Sequence, residues 1–213
     1  KTILIQSSPL VLQYAISIIS WEFFFILVSH DGTLALDISQ LMRLVFGFCG
    51  IFIWAFAATA NTMVSNIMGQ GLQESVIPLI KRIILLSAGS SLLIFFPLQL
   101  FTKEILSLFN ENEAFLELGI PVLRIVAFAI LLMSVATICL NSVTGTGNTR
   151  VNLMIEIITI VLYCIYIYTV MHVKDLPITW GWASEWLYWS SILIMSLTYL
   201  LSGKWNNARS RAV

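Results

Sequence analysis

A carboxylate stands inside one of the most apolar stretches of this chain: Glu22, in ISIISWEFFFILVS. An ionised acid near the centre of a membrane helix costs on the order of 2.5 kcal/mol or more. Such a group must face a bundle interior, pair with another residue, or hold a proton. Because desolvation penalises the charged form, it can exchange a proton, or a sodium ion held by its oxygens, as its site opens and closes. The alternative is a permanently neutral Glu bonded to a neighbouring helix. Glu22 is thus the candidate cation-coupling residue, with Na⁺ or H⁺ as the cation.

The other polar residues at depth allow more than one role. Glu156, in RVNLMIEIITI, could snorkel to an interface, pair with Arg150, or line a cavity. Glu185 reads as an interfacial first-turn acid favoured by the helix dipole, and Arg124, behind Pro121, as a residue that pairs with an external acid or snorkels outward. Gln13, Asn61, Asn66, Gln70 and Asn141 lie along helices where lipid contact is unfavourable. They make interhelical hydrogen bonds worth about 0.6 kcal/mol each, or they line a water-filled cavity, for which Asn61, Asn141 and Glu156 are the candidates.

Enzyme chemistry has no footing. His30 and His172 lack a carboxylate, Cys or second His at ligand spacing, and no G-x-S-x-G positions a nucleophile. The GTGNTR turn lacks the spacing of a phosphate loop. Cys49, Cys139 and Cys164 lie in apolar runs and read as small buried hydrophobes. No resident metal or cofactor is expected beyond the coupling ion.

The composition says what surrounds these residues. At about 25% charge a soluble domain of this length would carry roughly 53 charged residues, whereas this one has 11 basic and 11 acidic among 213, with 59% hydrophobic. So few charges cannot cover a water-facing surface, and the lipid bilayer is the main solvent. Soluble enzymes, nucleic-acid binders and disordered chains are excluded.

A helix needs about 20 apolar residues to cross a hydrocarbon core of about 30 Å, and six runs qualify: residues 9–28, 41–68, 79–101, 119–143, 151–171 and 183–201. Backbone amides in lipid must be satisfied within their own segment, so these are helices. The expected fold is all-α and polytopic, one six-helix transmembrane bundle over residues 1–213. Gly69 and Gly71 end the second helix, LQESVIPLIKR reads as a short amphipathic surface helix, and Gly145 and Gly147 end the fourth before Asn148 or Thr149 caps the fifth. Trp180, Trp182, Trp186, Tyr188 and Trp189 read as an interfacial aromatic belt, with a carbohydrate-stacking platform as the alternative.

Lys1, Lys81, Arg82, Arg150, Lys204, Arg209 and Arg211 fall on one side of the membrane, against Lys103, Lys174 and, at a helix mouth, Arg43 on the other. The positive-inside rule then puts both termini in the cytoplasm. The chain opens on Lys1 with no signal-peptide cleavage site, which reads as a piece of a longer protein.

Two stretches carry a family pattern: ANTMVSNIMGQGLQESVIPLIKRI, and FNENEAFLELGIPVLRIVAFAILLMSVATICLNSVTGTGNTRVNLMIEI. They resemble the C-terminal half of multidrug and toxic compound extrusion transporters, with Gly69, Gln70, Pro121, Leu123, Arg124, Ile125, Gly145, Gly147, Thr149 and Arg150 matching position by position. The resemblance implies helices seven to twelve of a twelve-helix transporter in the bacterial inner membrane, partnered by an N-terminal six-helix half. It implies export of cationic or amphipathic small molecules against inward Na⁺ or H⁺, with Glu22 in the coupling helix. Some members carry a second coupling acid in the helix matching 119–143. None occurs here, which implies a single site at Glu22 with Asn141 or Asn61 as neutral ligands. Related exporters of lipid-linked saccharides, and a non-transporting membrane scaffold, are the alternative readings.

Overall fold

The computed structural model describes residues 2–206. Lys1, Arg209 and Arg211, three of the seven cytoplasmic charges expected above, lie outside the described residues.

Long helices account for most of the chain: α1 (Thr2–Ser29), α2 (Thr33–Gln70), α3 (Val76–Leu100), α5 (Glu113–Gly145), α6 (Thr149–Ile167) and α8 (Ser184–Leu201), with short α4 (Thr102–Ser107) and α7 (Ile178–Trp182) in the connectors. Five of the long helices are apolar and long enough to cross a membrane. The sixth, α8, begins with Glu185 and three aromatic residues within its first two turns, which lowers its hydropathy. The expected all-α, six-helix membrane bundle is the observed architecture.

The bundle is organised around α5. In its most apolar stretch 67% of residues are buried, against 22–39% in the other spanning helices, so α5 is enclosed by protein while the others turn a face outward. It packs on α2, α3, α6 and α8. Close approach to α2 depends on Gly145, where a Cβ would lie 2.7 Å from the Asn61 carbonyl oxygen and 2.9 Å from Val64 Cβ. Small residues let membrane helices approach to this distance. Towards one end, Phe24, Val28, Met42, Phe46, Met133 and Trp182 form the main core. Towards the other, Ala60, Val64, Ile80, Val143 and Trp205 form a second.

Several local expectations are corrected. Helix α2 starts at Thr33 and not near residue 41, so Arg43 lies in its third turn and not at its mouth. Its 38 residues give a rod of about 57 Å at 1.5 Å per residue, longer than the hydrocarbon core. The segment LQESVIPLIKR forms no separate surface helix: a 3₁₀ turn over Gln73–Ser75 leads straight into α3, with Pro78 in the first turn where its missing N–H is harmless. Gly71 closes α2 at φ 78°, and Gly147 turns the chain towards α6 at φ 85°, both in the left-handed region suited to glycine. Asn148 precedes α6 without capping it through its side chain, and its amide donates back to Thr146.

The aromatic belt is only partly at the surface. Trp180 and Trp186 are exposed, but Trp182 is buried at 1% exposure, packed on Phe24 and Phe46, with its indole N–H donating to Ser39 Oγ at 3.1 Å. Tyr188 and Trp189 turn inward to carboxylates.

Candidate functional site

Two carboxylates, one at the surface of the bundle and one inside it, have built surroundings. The first is Glu22. On α1 it points out of the bundle between α1 and α2, where Arg43 Nη1 lies 3.3 Å from its Oε1; both side chains are about half exposed, at 55% and 52%. The Arg43 guanidinium also sits 5.2 Å from the centroid of Phe25 and 5.8 Å from that of Trp21, within cation–π range. Glu22 and Arg43 form the only ion pair among the described residues. Beside them, Gln40, Leu44, Gly47, Phe48 and Ile51 of α2 line a shallow groove of about 500 Å³.

The second carboxylate, Glu156, is inside. It is 2% exposed and makes no ion pair, so it neither snorkels nor reaches Arg150. Helical geometry explains this: six residues along α6 correspond to about 240° of rotation, which puts the two on different sides. The Oε1 atom of Glu156 accepts from Ser17 Oγ of α1 at 2.6 Å and from the Tyr188 hydroxyl of α8. Oε2 is buried with no donor. Close by, Ser17, Ser20, Trp21, Tyr163, Glu185 and Tyr188 contribute to the lining of a cavity of about 130 Å³. Glu185 is in the first turn of α8, as expected, but it is buried at 8% exposure and accepts from the Trp189 indole at 3.0 Å.

The remaining candidates are dispersed. Asn141 is partly buried and donates to the Thr137 carbonyl of its own helix at 3.0 Å, while Asn61 meets Gly145 through its backbone. Among the described residues neither makes a hydrogen bond to Glu22 or Glu156. Arg124 is exposed, and its carbonyl accepts from Gln99 Nε2 at 3.1 Å; Pro121 is exposed one turn earlier on α5. Gly69 and Gln70 are the exposed last residues of α2, and Thr149 and Arg150 open α6. Gly145 and Gly147 act through the backbone. Sequence reasoning missed Arg43 as the partner of Glu22, and Ser17 and Tyr188 as partners of Glu156. The available signal was the polar stripe Gln13, Ser17, Ser20 on one face of α1.

The sequence profile of the MatE family matches residues 9–169, three quarters of the chain. The chain belongs to the MatE family. MatE proteins are membrane transporters, and the matched span contains every motif residue from Gly69 to Arg150. No curated protein matches the chain. Among solved structures it is similar to a multidrug resistance MATE family transporter of the MOP superfamily in an outward-facing conformation, with TM-score 0.80 and 13% identity. A MOP superfamily transporter from Pyrococcus furiosus, whose binding pocket is described as reversed in polarity, gives the same TM-score of 0.80 and 13% identity. Each likeness covers 98% of this MatE chain and 45% of the solved one, so the chain spans less than half the length of these transporters. At this identity the likeness speaks for the fold.

Proposed function

We propose that this chain is the C-terminal half of a cation-coupled multidrug efflux antiporter in a bacterial inner membrane, with both of its termini cytoplasmic. Its match to 45% of the length of two transporter chains supports a six-helix half that works against an N-terminal partner bundle. The two halves rock about a midplane cavity to alternate access.

The observation that carries the coupling role is the half-exposed ion pair of Glu22 and Arg43 on adjacent helices. A Na⁺ or H⁺ that occupies Glu22 takes the place of Arg43. The freed guanidinium then adds positive charge beside the groove and weakens the hold on a cationic drug. Binding free energies are reciprocal, so drug binding weakens the cation by the same factor. A cationic or amphipathic compound is thereby exchanged for the ion, with no enzymatic step and no resident cofactor.

The test is Glu22→Gln in the protein reconstituted in vesicles. An exposed ion pair is worth about 0–1 kcal/mol, so the variant should remain folded. Gradient-driven efflux of a fluorescent organic cation should be lost. Unchanged efflux would overturn the coupling role.

A further inference from the structure

We propose that Glu156 is a proton-binding site separate from the Glu22–Arg43 pair, and that it carries its proton on Oε2 while α1, α6 and α8 are packed together.

The surroundings of the carboxyl favour its protonated form. Oε1 takes hydroxyl donors from Ser17 and Tyr188, but Oε2 is buried with none. An ionised carboxylate is an acceptor at both oxygens, whereas a protonated one carries a donor. The charged form would leave one oxygen desolvated in a membrane interior with no counter-ion, among the costliest arrangements a protein can bury. The Gln13 side chain of α1 also approaches the carboxyl from its donor end, but Oε2 still lacks a hydrogen bond of normal length and angle, and the Gln13 Oε1 is itself buried without a donor. A proton on Oε2 removes the desolvated charge and turns that oxygen from an unpaired acceptor into a donor.

No neighbour substitutes for that proton. The titratable groups around Glu156 are Tyr188 and, one turn earlier on α8, Glu185, and neither is a cation. From α1 come Ser17 and Gln13, both neutral. Helix α5 contributes apolar Ala136 and Leu140, packed with Ile155. On α6 itself Tyr163 lies nearly two turns on, and Arg150 is exposed without an ion pair.

The site is shared by three helices, which links proton occupancy to their packing. Moving α1 away removes Ser17 and Gln13 together and admits water to the carboxyl, so the proton is released. Glu22 lies five residues beyond Ser17, about 140° round α1, so one helix carries both carboxylate sites on different faces. Any link to transport rests on the proposed antiport, but the proton itself does not.

Infrared difference spectroscopy of the purified protein reads the proton without transport. With Glu185, the other buried acid nearby, replaced by Gln, a carboxylic-acid C=O band is expected at neutral pH with or without Glu22→Gln, and it should be lost when Glu156→Gln is added. If Glu156→Gln does not fold, Ser17→Ala and Tyr188→Phe, which each remove one donor to Oε1, should shift the same band. Absence of the band, its survival in Glu156→Gln, or a band that neither donor variant moves would overturn the proposal. A band that behaves as expected while Glu22→Gln still drives efflux would defeat the coupling role of Glu22 and leave this site standing.

Discussion

Ser17 on α1 donates a 2.6 Å hydrogen bond to Glu156 on α6, joining two residues 139 positions apart in the chain. Tyr188 of α8 donates to the same oxygen, so one buried carboxyl gathers three helices. Removing one hydroxyl leaves the other to hold it. Ser17→Ala should therefore lower stability by about 1 kcal/mol, the usual net worth of a hydrogen bond. Thermal unfolding in detergent should show a modestly lower melting temperature. An unchanged one would mean that the contact contributes nothing.

Gly145 sets the distance between α5 and α2. An added methyl would meet the Asn61 carbonyl oxygen at 2.7 Å, and a backbone atom cannot swing aside as a side-chain end can. Gly145→Ala should destabilise by about 1–3 kcal/mol, as overpacking typically does. Gly147→Ala separates this crowding from strain, because nothing lies within 4 Å of a Cβ there and only its φ of +85° is unfavourable. Wild-type melting behaviour in Gly145→Ala would show that the helices can part at no cost.

Between α1 and α2, Asp31 faces the connector after α6 across a cleft that includes His30, Asp175 and Pro177. Partial burial pushes its carboxyl up from the ordinary Asp range near 3.8, Asp175 adds repulsion, and His30 opposes both. The folded state then holds this proton to higher pH than the unfolded chain does, so stability falls as pH rises through the interval just above that range. Asp31→Asn removes this loss. Its melting temperature should gain on that of the unmodified protein as pH is raised from about 4. Curves that stay parallel would contradict the assignment.

Much of the bundle was legible from apolar run length, because in lipid a long apolar segment has few options besides a helix. Boundaries were less so. Thr33–Gln40 carries Asp37 and three polar side chains, so it ends an apolar run without ending a helix. Trp182 reads as a belt residue because its neighbours are aromatic. The short helix α7 instead turns it beneath Phe24 and Phe46, and Gly181 leaves room for Met171. Glu22 was conspicuous because no other acid interrupts its span. Its partner Arg43 was hidden by the misplaced start of α2, and Ser17 and Tyr188 by distances along the chain that no local pattern encodes.

The central claim is that an ion gradient drives this bundle and its partner half to export a cationic compound. The most direct measurement is efflux of a fluorescent organic cation from vesicles containing the protein, under H⁺ and Na⁺ gradients imposed separately. Efflux should accelerate under one of the two gradients and collapse when that gradient is dissipated. Efflux at the same rate with and without either gradient would contradict the account.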